Sequence, residues 1–138
     1  MLRKLDVKDL KDNVFSLIGD QWMLITAGTA DNCNTMTASW GGLGIMWGEP
    51  VATVYIRPQR YTKEFVDREP LYTLCFFPEE YKKSLGYLGS HSGRDGDKVA
   101  AAGLTPVFGV GYTYFEEAEL VMVCRKLYRA PVVEEGFL

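Results

Sequence analysis

Apolar residues along this chain fall mostly into short runs or into alternation with polar ones, the period-two signature of strands, and only rarely into helical spacing. Near the start, Val7, Leu10, Val14, Leu17 and Ile18 share one helical face, which predicts an amphipathic helix over Val7–Ile18 stopped by Gly19. Trp22–Gly28 is a short apolar run and predicts a buried strand; Thr29–Asn32 supplies turn chemistry and predicts a hairpin into a second strand, Asn34–Trp40. In that strand Thr35, Thr37 and Ser39 alternate with Met36, Ala38 and Trp40, giving a hydroxyl-bearing face and an apolar one. Gly41, Gly42, Gly44 and Gly48 read as a loose connection closed by Glu49-Pro50, and Val51–Ile56 as a third strand.

Further along, Arg60–Arg68 predicts a short helix ended by Glu69-Pro70, and Leu71–Phe77 a fourth, β-branched and aromatic strand. A helix start at Pro78-Glu79-Glu80 leads into Tyr81–Leu88. Gly89–Lys98 is a polar, Gly-punctuated loop rich in Ser, His, Arg and Lys, the kind that carries function. Lys98–Ala102 makes one or two helical turns capped by Gly103, Tyr112–Phe115 a short strand, and Ala118–Arg129 a long one. About five or six strands with two or three short helices close most naturally as a mainly β antiparallel barrel with peripheral helices.

The stretch Asn34–Thr62 organises the rest. Two strand-like segments end there in small, polar or cationic residues, a way for a rigid sheet to offer amides, hydroxyls and guanidinium groups to an anionic, planar ligand. Thr62 falls in the first turn of a helix, where unpaired N–H groups favour an anion. Gly109-Val110-Gly111 lacks both the strand-to-helix setting and the third glycine of a dinucleotide fingerprint.

With 138 residues the chain makes a single domain able to bury a core without metal or disulfide. No run of apolar residues reaches membrane length, and the Met1–Asp6 start lacks the features of a secretory signal, so a soluble, cytoplasmic protein is the expectation. Cys33, Cys75 and Cys124 form no Cys-x-x-Cys pair, and an odd count in a reducing compartment reads as three free thiols with no metal site. A net charge of −3 argues against a nucleic-acid partner.

Asn34–Trp40, Ile56–Thr62 and Gly89–Lys98 followed by Gly103-Leu104-Thr105 together resemble, in order and spacing, the flavoredoxin branch of the flavin reductase-like, FMN-binding split-barrel family. The resemblance runs from about residue 20 to residue 130. It implies a six-stranded antiparallel Greek-key split barrel, a homodimer, and one FMN held noncovalently near the subunit interface. It also implies electron transfer between NAD(P)H, flavin and a further acceptor. In the family a last strand follows the one containing Cys124, whereas this chain ends at Glu134–Leu138; the expectation is either a closing strand supplied differently or a shortened chain.

Carried onto matching positions, the resemblance implies a phosphate clamp of Arg57, Arg60, Thr62 and backbone N–H groups, framed by Pro58 and Tyr61, with Lys98 adding to it. It implies a wall for the isoalloxazine ring from Asn34, Thr35, Met36, Thr37, Ala38, Ser39 and Trp40, and it sets Ser90, His91, Ser92 and Arg94 over or beside the flavin. Plainer roles stand beside these: Arg57 and Arg60 as solvated cations, Trp40 as core, Asn34 as a turn residue, His91 as a surface hydrogen-bonding residue and Cys33 as an unreactive thiol. No catalytic acid or base is assigned, because hydride transfer to a flavin needs stacking and exclusion of water more than a proton shuttle. Three readings remain open: a flavin reductase using NADH or NADPH, a flavoredoxin-like carrier or flavin-binding module without its own nicotinamide site that takes electrons from a redox protein partner, and a folded domain whose cradle has lost its ligand.

Overall fold

A computed structural model describes residues 2–138. The expected first helix is split in two. Asp6 accepts a hydrogen bond from the Lys8 amide and caps a 3-10 turn at Val7–Asp9, and Asn13 accepts from the amides of Phe15 and Ser16 to start α1, Val14–Gly19. Two such caps inside one periodic stretch end one element and begin another. Val7 is left exposed, while Leu17 and Ile18 reach the core.

The centre is a four-stranded antiparallel sheet in the order β2-β1-β5-β8, with β1 at Met23–Gly28, β2 at Cys33–Ala38, β5 at Leu71–Phe76 and β8 at Leu120–Arg125. β1 is buried along its whole length and β5 over all but Leu71, as strands covered on both faces should be. Ile25, Met36 and Leu74 point to one face, where α1 and α2, Thr62–Arg68, pack with Phe65 and Val66. Leu24 and Cys75 point to the other, under Leu85 and Leu88 of α3, Lys82–Ser90, together with Leu104 and Phe115.

Among the described residues eight short strands stand where five or six are read from the pattern. The Gly-rich connection is itself a strand, β3 at Gly41–Met46, paired in a hairpin with β4 at Glu49–Val54. Trp47 and Gly48 both have positive φ and form the two-residue loop, the backbone twist that suits a tight hairpin. The segment before β7, Thr113–Phe115, supplies a second addition, β6 at Pro106–Phe108, and the long strand expected over Ala118–Arg129 is shorter at both ends. α4, Lys98–Ala102, ends at Gly103 in left-handed conformation, as expected.

The hydroxyls of Thr35 and Thr37 on β2 are committed inside the protein, while Ser39, just beyond the strand, is exposed. Thr35 and Thr26, cross-strand partners, join their hydroxyls at 2.8 Å inside the sheet, and Thr37 donates to the Leu85 carbonyl beneath α3. Thr113 donates to the Gly28 carbonyl. Among the described residues no buried side-chain nitrogen or oxygen lacks a partner, so these hydroxyls lock the sheet to its neighbours at little desolvation cost.

Candidate functional site

β2 is an edge strand, so alternate backbone groups along its free side have no strand partner. Two other segments meet it there. One is the turn that enters α2, in which the Arg57 carbonyl accepts from the Arg60 amide and the Arg60 carbonyl from the Lys63 amide. The other is the end of α3 with the 3-10 turn Gly93–Asp95.

Two open clefts lie between these segments and share Arg60. The first, about 230 Å³, is lined by Asn34, Gln59, Arg60, Tyr61, Thr62, Lys98 and the whole run Gly89–Arg94. The second, about 180 Å³, runs along the β2 edge and is lined by Met36–Trp40, Tyr55, Arg57 and Arg60. Taken end to end they reach the size range of small-molecule and cofactor sites. Of the residues expected at the site, only Thr35 and Pro58 line neither cleft.

Several of the plainer roles fall away on geometry. Trp40 is about half exposed, with the Arg57 guanidinium 5.0 Å from its ring centre, so it is a wall and not core. Asn34 is buried within β2 and donates through Nδ2 to the Thr62 hydroxyl at 2.8 Å, tying the edge strand to the start of α2. Other expected ligands are committed locally. His91 stacks on Tyr87 with ring centres 3.8 Å apart and sets Nδ1 2.9 Å from the Tyr87 carbonyl; Ser92 caps the 3-10 turn by accepting from the Arg94 amide. The Ser90 hydroxyl lies against the carbonyls of its own helix.

The electrostatics point to an anion. Lys98 is only 6% exposed and donates to the carbonyls of Leu88 at 3.2 Å and His91 at 3.0 Å. Among the described residues no carboxylate forms a salt bridge with Lys98, Arg57 or Arg60. Burial, and then the Arg60 charge, push the Lys98 ammonium down to about 8. Arg60 is likewise lowered by burial and by Arg57. Like charges gathered without a counter-charge are costly unless something negative joins them.

Gly93 and Gly89 show how tightly the walls meet. A Cβ on Gly93 would come 2.0 Å from Asn34 Oδ1 and 3.1 Å from the Tyr61 ring; on Gly89 it would come 3.3 Å from Thr37 Cβ. Gly93→Ala is therefore expected to push the 3-10 turn off β2 and weaken the binding of any ligand that the first cleft encloses roughly tenfold, a closely packed site being sensitive to shifts of an ångström. A fluorescence titration checks this. Gln59, Tyr55, Gly89 and Gly93 are cleft residues that the sequence reading missed. Only the glycines carried a signal, their place in a Gly-punctuated loop.

All three cysteines are free. Burial raises Cys33, takes Cys75 to about 12 and Cys124 to about 11, which keeps each a thiol at neutral pH and agrees with the unreactive reading. No group of acidic, His and Cys side chains suited to a metal occurs among the described residues.

The family model for the flavin reductase like domain matches residues 15–136, and the chain belongs to that family. A solved structure of flavoredoxin from Desulfovibrio vulgaris (Miyazaki F) is similar at a TM-score of 0.73 and 25% identity, covering 95% of this chain and 69% of that one. An FMN-binding protein from Thermus thermophilus with bound p-hydroxybenzaldehyde matches at 0.73 and 22%, covering 95% and 73%. A flavoredoxin from Methanosarcina acetivorans matches at 0.73 and 20%, covering 95% and 68%. These likenesses, with that to a split-barrel flavin reductase-like protein of Shewanella frigidimarina, make the fold a mainly β split barrel. No curated protein matches the chain. No helix among the described residues is long and apolar enough to cross a membrane.

Proposed function

We propose that this chain binds FMN across the two clefts and passes electrons from NADH or NADPH through it to a downstream acceptor. The observation that carries the reading is the cluster of buried Lys98 and half-buried Arg60, without a carboxylate partner among the described residues, with Arg57 beside it, next to a free strand edge walled by Trp40. The donor set fits the group. Arg60, Lys98 and the amides entering α2 would hold the phosphate, with the Asn34 side chain fixing the Thr62 hydroxyl beside them. The β2 backbone and Trp40 would take the ring, with Arg57 over the indole. Bound FMN supplies one- and two-electron redox chemistry; the chain's part is to orient the ring, exclude water from one face and neutralise the phosphate.

Purified protein is expected to carry or take up FMN with a yellow colour, and NADH or NADPH is expected to bleach it under anaerobic conditions. A protein that binds FMN but is bleached by neither nucleotide would instead fit the second reading, a flavoredoxin-like carrier served by a redox protein partner, which the 25% identity to the Desulfovibrio flavoredoxin favours. A homodimer belongs to the same proposal: both clefts are open on one side, and Tyr55, Ile45 and Trp47 stand exposed. Sedimentation of the purified protein tests it.

Lys98 gives this reading a pH signature. Its folded value near 8 lies below the 10.5 of an ordinary lysine, so folding disfavours the ammonium. In ligand-free protein the Lys98 contribution to stability is therefore smaller below pH 8 and grows between about 8 and 10.5, where the unfolded chain still holds the proton and the folded one does not; above the ordinary thiol value of 9.0 the buried Cys75 and Cys124, which keep their protons when folded, oppose it. FMN affinity should run the other way, falling above pH 8 as the cation is lost. Lys98→Met should remove the rise in stability between pH 8 and 9, read by thermal unfolding, and flatten the FMN affinity over the same range, read by titration.

A further inference from the structure

Among the described residues the side chain of Arg94 makes three attachments, all to the helix wall opposite its own loop. Nη1 donates to the Gln59 carbonyl at 3.1 Å, Nη2 donates to Glu64 Oε2 at 2.7 Å, and the guanidinium lies over the Tyr61 ring, 4.7 Å from its centre. Arg94 sits one residue after Gly93, the point where the loop is pressed onto Asn34 of β2. Arg94 and Gly93 thus join the three walls of the first cleft: the edge strand, the turn entering α2, and the 3-10 turn itself. Its flat, five-donor head suits this bridging better than an ammonium would.

We propose that Arg94 is a positioning residue that sets the width of the first cleft by strapping the 3-10 turn to α2, and is not itself a ligand of the phosphate. The proposal rests on the reading of these clefts as a flavin site. Two of its terminal nitrogens and one face of the guanidinium are already occupied by Gln59, Glu64 and Tyr61. Lys98 and Arg60, by contrast, reach the cleft with no acid partner among the described residues. Glu64 lines neither cleft, so its effect on a ligand must pass through Arg94 or through its charge.

That separation makes Glu64→Gln the informative change. Removing a negative charge near the site should by electrostatics alone tighten an anionic ligand, whereas loosening the strap should weaken any ligand the cleft encloses. Riboflavin, which carries no phosphate, reads the strap alone. An exposed ion pair is worth little by itself, but here a carbonyl bond and a cation–π contact depend on the same placement. Glu64→Gln is expected to raise the riboflavin dissociation constant roughly threefold to tenfold. Arg94→Gln should weaken FMN and riboflavin by the same factor, and Arg94→Lys should recover only part of the loss.

Amide hydrogen exchange in the 91–96 segment of ligand-free protein gives an independent readout, and it should be faster in both Glu64→Gln and Arg94→Gln while the β1 and β5 amides keep their protection. The proposal is overturned if Arg94→Gln weakens FMN but not riboflavin, or if Glu64→Gln leaves riboflavin binding and loop exchange unchanged. Should the parent protein take up neither FMN nor riboflavin, the cofactor reading fails by itself. The exchange measurement then decides the strap alone: faster exchange in the 91–96 segment upholds it, and unchanged exchange ends it.

Discussion

Protein carrying both Arg57→Ala and Arg60→Ala will fold as the parent does and fail to retain FMN. Neither guanidinium holds the fold together: Arg57 is exposed against Trp40, and among the described residues the one hydrogen bond from the Arg60 side chain, to the Gly89 carbonyl, is long at 3.4 Å. Each charge-assisted contact to a phosphate is worth about 1.5–3 kcal/mol. Losing the Arg60 contact alone should raise the FMN dissociation constant by about one to two powers of ten, and losing Arg57, which backs the Trp40 wall, adds to that. Arg60 borders both clefts and Arg57 only the second, so Arg60→Ala should account for the larger share. Part of that loss will be offset, because removing Arg60 also takes away a charge that lowers Lys98. Retention of FMN within a few-fold of the parent, with an unchanged circular dichroism spectrum, would refute the clamp.

Phe65→Ala is expected to be the most destabilising single change near the site, costing about 3–5 kcal/mol and lowering the melting temperature by roughly 10 °C or more. Phe65 is 1% exposed and seals α2 against the sheet, so truncation leaves a cavity in the core. It also supports the cleft: the Tyr61 ring meets it edge-on at 5.0 Å and 88°. Thermal unfolding gives the first effect. A flavin titration well below the melting point gives the second, a weaker site whose wall has lost its backing.

Much of this could be read before any coordinates. β1, β2, β5 and the short helices from α2 to α4 follow from short apolar runs, Pro and Gly punctuation and acidic first turns, because each is specified within its own segment. β3 was illegible for a local reason: Gly41, Gly42 and Gly44 carry no side-chain pattern, and only pairing with β4 makes a strand of them. The first helix failed in the opposite way, since a regular apolar spacing concealed two caps, Asp6 and Asn13.

Most of the residues that line the two clefts stand in stretches that the sequence singles out, but their division of labour was not legible. Thr35 and Thr37 belong to the expected wall, yet their hydroxyls serve the sheet and α3, because a period of two fixes which residues share a face but not which face is covered. Arg94 pairs with Glu64, 30 residues away, and no spacing rule connects them.

The free side of β2 has a consequence for handling the protein. An unpaired row of amides and carbonyls is a template onto which another polypeptide can add, so the wall that would grip the flavin is also where a second molecule could seed a precipitate. On the proposed reading the cofactor doubles as a stopper: preparations kept saturated with FMN should stay clear on storage and warming, while stripped ones turn cloudy.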